Sequence, residues 1–322
     1  MYSLRPCFAI LMFLVNTHGG RSPPEGRCRL TTVFRMLGAD CSNINLVNIP
    51  NQTKSIEVLD ASVNRIRILK NNSFTTYSSL KFLYLNDNSI TIIEAGAFIP
   101  LEELEVLDLS LNAIRDLPAM MPSTLRRIYI SENPLESIPL GAAVALTYVN
   151  LSSCRLTELP HIGELPMLVE LNISSNPLIN LTVNNLASFC HLETLRLPHE
   201  LLESKYISSC DCVRVKRWTI EHSILVIPNF NCTVFDDEAA CINNSTDEAR
   251  TFAACQMALQ QHYASHWTAM ACGIGIIIIC AVVLTIVWRR RRRPSPQPHR
   301  NPEQEAAFRT RKLLEEAPKS KF

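Results

Sequence analysis

Between residues 56 and 200 apolar and polar positions recur in one nine-residue order. In LKFLYLNDN (80–88) the first, fourth and sixth positions are apolar and an Asn closes the unit. The same order appears in IEVLDASVN (56–64), LEVLDLSLN (104–112), LRRIYISEN (125–133), LTYVNLSSC (146–154), LVELNISSN (168–176) and LETLRLPHE (192–200). The closing positions, 64, 88, 112, 133, 154, 176 and 200, lie 21 to 24 residues apart. In an extended strand, alternate side chains point to opposite faces. The fourth and sixth residues therefore point inward together, and the fifth points out. The pattern predicts seven short strands, none able to bury its own apolar side chains, stacked in parallel. The closing Asn both donates and accepts, and so can satisfy backbone groups where the chain leaves the strand. The return segments, such as IRDLPAMMPST and LESIPLGAAVA, contain Pro. Turns and short 3₁₀ pieces are expected there rather than long helices.

LxxLxLxxN is the signature of a leucine-rich repeat, and the chain resembles the extracellular leucine-rich repeat proteins, among them Toll-type receptors, synaptic repeat proteins and platelet glycoprotein subunits. The resemblance implies an α/β leucine-rich-repeat solenoid, with short parallel strands on a concave face and turns or 3₁₀ segments on the convex face. Cys154 replaces the fifth Asn and reads as a buried free thiol; the seventh unit, with Pro198 and Glu200, is degraded, as terminal repeats are.

A solenoid's open ends need covering. CRLTTVFRMLGADCSNINLVNIP (28–50) resembles the family's Cys-rich N-terminal cap, which implies a Cys28–Cys41 disulfide. CDCVRVKRW (210–218), with Cys232, Cys241 and Cys255 after it, resembles the C-terminal cap, in which a CxC pair bonds forward. That implies Cys210–Cys232 and Cys212–Cys255. Cys241 departs from the four-Cys pattern: it replaces Cys255, pairs with Cys190, or stays free for an intermolecular bond.

Two apolar runs flank this region. Residues 7–15 follow one Arg and precede Gly19 and Gly20, a signal-peptide layout too short to span a bilayer. WTAMACGIGIIIICAVVLTIVW (267–288) carries no charge and ends at RRRRR (289–293), which fits a transmembrane helix with its C-terminal side cytosolic. Sequons at Asn51, Asn71, Asn150, Asn172, Asn180, Asn231, Asn243 and Asn244 all precede the second run, as glycosylation of a lumenal segment requires. The expected organisation is a signal peptide (1–19), N-terminal cap (20–50), repeats (51–200), C-terminal cap (201–255), juxtamembrane stalk (256–266), transmembrane helix (267–288) and cytoplasmic tail (289–322). The expected location is the plasma membrane, single-pass type I.

Charge refines this picture only at the end of the chain. Residues 289–322 hold eleven Lys/Arg against four Asp/Glu, whereas the remainder holds twenty against twenty-six. This is not a globally basic nucleic-acid binder. No phosphate loop, GxSxG or HExxH is present, so neither an enzyme nor a cofactor nor a metal is expected. In the tail, Leu313–Leu314 lacks the upstream acidic residue of an endocytic dileucine, and no signalling domain fits its length.

The outward strand positions carry the candidate chemistry. The central position reads Asp60, Tyr84, Asp108, Tyr129, Asn150, Asn172, Arg196, and the position two earlier Val58, Phe82, Val106, Arg127, Tyr148, Glu170, Thr194. Asp60, Phe82, Tyr84, Asp108, Arg127, Tyr129 and Tyr148 form the expected ligand-binding set, since aromatic side chains with a nearby Arg are the composition of protein-binding hot spots. Glycans on Asn150 and Asn172 would block the other end of the face. The expected function is recognition of an extracellular protein ligand or partner receptor, with an adhesion or structural subunit as the alternative. The expected partners are extracellular protein and, through the transmembrane helix, membrane lipid, with a disulfide-linked or non-covalent oligomer open.

Overall fold

The computed structural model describes residues 27–52, 55–199, 209–229, 232, 241, 246–291 and 302–315. The expected signal peptide, the sequons Asn231, Asn243 and Asn244, and the side chains of Arg289–Arg293 and Leu313–Leu314 lie outside the described residues.

The repeat region winds as a solenoid around one ten-stranded sheet. An antiparallel hairpin opens it, β1 (Arg29–Val33) and β2 (Met36–Asp40). Seven parallel strands of three residues each follow, one from each nine-residue unit: β3 (Val58–Asp60), β5 (Phe82–Tyr84), β7 (Val106–Asp108), β8 (Arg127–Tyr129), β9 (Tyr148–Asn150), β10 (Glu170–Asn172) and β11 (Thr194–Arg196). β12 (Leu225–Ile227) from the C-terminal cap completes the sheet. Register is uniform, so Leu59, Leu83, Leu107, Ile128, Val149, Leu171 and Leu195 stack in one column, each fully buried. Truncating one of the Leu to Ala would cost about 2–5 kcal/mol.

The convex side is built of turns. Amides three residues after an acceptor close 3₁₀-type bonds, as Tyr77 N–H to the Phe74 carbonyl and Leu80 N–H to the Tyr77 carbonyl. Two short strands, β4 (Ile68–Leu69) and β6 (Ile92–Ile93), pair there in parallel. Within the described part of the repeats the only helix is α1 (Val183–Leu186).

The closing Asn residues work as a ladder. Asn112 Nδ2 donates to the Leu85, Leu109 and Ser110 carbonyls while its Oδ1 accepts the Ile90 N–H of the preceding repeat. Asn64, Asn88, Asn133 and Asn176 repeat this scheme. The residue before each rung, Val63, Asp87, Leu111, Glu132, Ser153 or Ser175, has positive φ. For the first five, its N–H is held by a carbonyl of the next repeat.

Cys154 occupies the missing rung as a buried free thiol, donating to the Ile130 carbonyl at 3.3 Å. The donor that a rung at 154 would accept from the preceding repeat is Leu135 N–H. That group already bonds the Asn133 carbonyl across Pro134, at 2.9 Å. The backbone N–H groups of Asn133 and Glu132 still face the sulfur, so position 154 keeps part of a rung's environment without the Leu135 amide. Burial pushes the thiol up to about 11, which keeps it protonated.

The caps are cross-linked, but not all as the resemblance implied. Cys28 and Cys41 are bonded. At the other end the pairs are Cys190–Cys255, Cys210–Cys241 and Cys212–Cys232, in place of Cys210–Cys232 and Cys212–Cys255. Cys210 and Cys212 lie on α2 (Ser209–Glu221), two residues apart and hence about 200° around the helix, so they face different partners. Cys255 lies on α3 (Thr246–Arg291), almost fully buried, where it meets Cys190 just ahead of β11. Arg214 of α2 pairs with Glu248 of α3, and Trp218 meets Phe252 edge-on at 4.9 Å. Cys190 and Cys241 are thus both consumed within the chain, and neither is left for an intermolecular bond.

The chain divides into two compact units, Met1–His262 and Tyr263–Phe322. The second contains Met270–Trp288, a helical stretch long and apolar enough to cross a membrane, and α4 (Pro302–Glu315). Glu303 and Glu305 lie in the first turn of α4 and Lys312 in the last, the charge order a helix dipole favours.

Candidate binding face

The outward residues of the strands line up in two columns. The central column runs Asp40, Asp60, Tyr84, Asp108, Tyr129, Asn150, Asn172, Arg196, and the flanking column Gly38, Val58, Phe82, Val106, Arg127, Tyr148, Glu170, Thr194. Six of the seven candidate ligand-binding residues are at least partly open: Arg127 is exposed, and Phe82, Tyr84, Asp108, Tyr129 and Tyr148 are half-buried. Asp60 is the exception, only 8 % exposed. Its strand lies next to the N-terminal hairpin, and its carboxylate accepts the Ser62 N–H at 2.9 Å and the Ser62 hydroxyl at 2.6 Å. It is a buried supporting group rather than an open contact.

The same local bond recurs up the column. Asp108 accepts Ser110 N–H at 2.9 Å, Asn150 accepts Ser152 N–H at 3.1 Å, and Asn172 accepts Ser174 N–H at 3.1 Å. Asp and Asn supply the oxygen acceptor equally at these four positions, while Tyr84, Tyr129 and Arg196 hold the same place in the other repeats. Sequence reading missed this Asx-turn duty, although the D/N-x-S spacing in four of the repeats was its signal.

Packing on the face is aromatic. The Tyr129 and Tyr148 rings lie 5.0 Å apart, tilted by 42°, a spacing at which aromatic pairs attract. Arg127 is in register with Tyr148. Further along, Arg196 Nε donates to Glu170 at 2.7 Å. Burial pushes the Tyr84 and Tyr148 hydroxyls up to about 12 and raises that of Tyr129, so all three are neutral hydrogen-bonding groups at physiological pH. Burial also raises the Asp60 and Asp108 carboxyls, with the Ser62 and Ser110 hydrogen bonds opposing the shift.

The two central sequons, Asn150 and Asn172, are half-buried on this face, whereas Asn51, Asn71 and Asn180 are exposed elsewhere. Among the described residues no group of His, Cys, Asp and Glu is arranged to hold a metal ion.

Comparison with known proteins agrees with this architecture. Residues 54–114 match the family described as leucine rich repeat. Lumican from Homo sapiens is 32 % identical over 164 residues, 47 % of this chain and 48 % of that protein. Lumican from Oryctolagus cuniculus is 31 % identical over 160 residues, 46 % of this chain and 83 % of that protein. Epiphycan from Homo sapiens is 31 % identical over 181 residues, 55 % and 53 % of the two chains. The chain spans about half the length of the rat, human and mouse lumicans it matches. With seven stacked strands, the Asn ladder and these similarities together, the chain belongs to the leucine-rich repeat family of extracellular proteins.

Proposed function

We propose that this chain is a cell-surface recognition protein that binds an extracellular protein ligand or partner receptor through the first four repeats of its concave face. In this reading it is a single-pass type I membrane protein, anchored by Met270–Trp288. It acts as a receptor or co-receptor. The observation that carries the reading is the strip of Phe82, Tyr84, Asp108, Arg127 and Tyr129 across neighbouring strands, bordered by Tyr148 of the fifth repeat, whose ring packs on Tyr129. Half-buried aromatic rings with an adjacent guanidinium present a large rigid contact area at small entropic cost. Glycans on Asn150 and Asn172 confine a protein ligand to the other half of the face.

The test is proximity labelling from the ectodomain on intact cells, wild type against Tyr84→Ala/Tyr129→Ala. Loss of specific partners at unchanged surface level is the expected result. Persistence of every partner in the double variant would refute the concave site.

A further inference from the structure

On the convex turn of the second repeat, Phe98 and Leu101 are fully buried while Ile99 between them is 53 % exposed. A lone exposed isoleucine is ordinary on a protein surface; what sets this one apart is its neighbour. Gly96 lies three residues before it. A Cβ on Gly96 would stand 3.3 Å from Ile99 Cδ1 and 2.9 Å from Asn71 Oδ1, so glycine here permits a close approach. Ile99 and the Asn71 amide therefore flank one glycine. That amide is fixed. Asn71 Oδ1 accepts the Gly96 N–H at 2.8 Å, and the Asn71 backbone N–H donates to Glu94 Oε2 at 2.7 Å. In Asn150 and Asn172 the side-chain oxygen accepts from a Ser two residues on, inside the same repeat. At Asn71 it accepts from the next repeat, 25 residues along the chain. Asn71-Asn72-Ser73 is a sequon, exposed at Asn71 and Asn72. Pinning Oδ1 leaves Nδ2, the atom that takes the sugar, outside the inter-repeat bond.

We propose that Asn71 carries an N-glycan whose first N-acetylglucosamine packs on Ile99, making this glycan a structural part of the first two repeats. Nδ2 and Oδ1 share one carbon, so fixing the oxygen on Gly96 N–H fixes the point from which the sugar grows, beside Ile99. The pyranose ring turns a face of C–H groups to a neighbour, and its acetyl group adds a methyl. Both are apolar surface suited to an isoleucine otherwise left in water. The glycan then shields the convex turns and ties them together, whereas glycans on Asn150 and Asn172 only occupy space on the concave side. The proposal rests on the repeats being extracellular and is independent of the concave binding strip.

The test is a mutant cycle in the full chain, produced in cells restricted to high-mannose glycans and purified in detergent. Ser73→Thr keeps the sequon and Ser73→Ala removes it; each is made in the wild-type and in the Ile99→Ser background. Ser73 Oγ also accepts the Lys70 N–H. That bond is lost in both Ser73→Ala chains, so its cost cancels in the cycle. Relative to Ser73→Thr, Ser73→Ala should lower the apparent Tm by about 2–4 °C more in the wild-type background than in Ile99→Ser, the shift of a modest stabilisation in a domain of this size. Trimming every glycan to its first sugar with endoglycosidase H should leave that difference in place. Equal losses in the two backgrounds would show that the sugar does not touch Ile99, and disappearance of the difference on trimming would place the contact beyond the first sugar; either overturns the proposal. Glycopeptide mass spectrometry separates its failure from that of the extracellular reading. Sugar on other sequons but not on Asn71 sinks the proposal alone, and a chain with no glycan at all sinks both.

Discussion

In the first half of the concave face the central positions are Asp60, Tyr84, Asp108 and Tyr129; in the second they are Asn150, Asn172 and Arg196. Both halves use one backbone device, an oxygen at the strand's end accepting the N–H of the Ser two residues on. Folding therefore does not decide between Asp and Asn. What differs is the consequence. Asn150-Leu-Ser and Asn172-Ile-Ser are sequons, whereas Asp60-Ala-Ser and Asp108-Leu-Ser miss being sequons by one amide group. A face built on one template carries acidic and aromatic side chains in one half and two sequons in the other. That contrast argues for a ligand footprint on the first half more strongly than the aromatic content alone.

The sharpest way to break the contrast is Asp108→Asn, which writes the Asn150 sequon into the open half. The Asx bond to Ser110 survives, so folding and surface level should hold. A glycan at this position should abolish partner labelling. Asp108→Asn/Ser110→Ala carries the same amide without a sequon and should lose no more than about tenfold, the cost of one contact charge at a partly open site. If the glycosylated single variant binds like wild type, the ligand does not use this half. The converse variant, Ser152→Ala, removes the Asn150 sequon and leaves the Asn150 bond to the residue 152 amide intact. Binding should then stay within about twofold, since nothing in the proposed footprint changes. A large gain would mean that the ligand extends over the second half.

A pH series sharpens the comparison at Asp60. Burial raises this carboxyl above its ordinary value in the folded chain. The folded state therefore holds its proton more tightly than the unfolded chain does. The stabilising contribution is full below the unfolded value of about 3.9 and is lost as pH rises through the higher folded value. Asp60→Asn/Ser62→Ala, compared with Ser62→Ala to avoid a new sequon, removes this titration. Its Tm advantage should be smallest near pH 3 and grow by a few degrees toward neutrality. A difference that does not change with pH would show that Asp60 is not desolvated.

Much of this was legible in the sequence because the repeat is written in side-chain identity. Leu83 and its equivalents sit inward wherever the nine-residue pattern places them, and the Asn ladder follows from one amide's capacity to donate and accept. The burial of Asp60 was not legible, because it depends on a neighbouring strand, β2, that belongs to the cap and lies outside the repeat. Nor was the pairing of Cys210, Cys212 and Cys255. It depends on which side of α2 each thiol faces and on α3 passing Cys190, relations that spacing along the chain does not encode. The seven expected residues share one face, and the sequons that divide it are written in the sequence, whereas the common Asx bond beneath both halves is seen only in three dimensions.

The smallest expected effect tests the ladder at the boundary between the halves. Pattern alone says that Cys154→Asn repairs a missing rung and should stabilise. The hydrogen bonds say otherwise. Pro134 supplies no N–H, and Leu135 N–H is already taken by the Asn133 carbonyl, so the new Oδ1 would keep the Asn133 N–H that now faces the thiol but lack the second amide that Asn176 Oδ1 accepts. The missing second hydrogen bond is worth about 1 kcal/mol, which cancels the gain from a stronger donor to the Ile130 carbonyl, so no stabilisation is expected. Thermal unfolding of the full chain checks the sign. Stabilisation would mean that Leu135 releases its local bond and joins the ladder. The boundary between the halves would then be an ordinary rung, and the contrast would rest on the Asp and Asn positions alone.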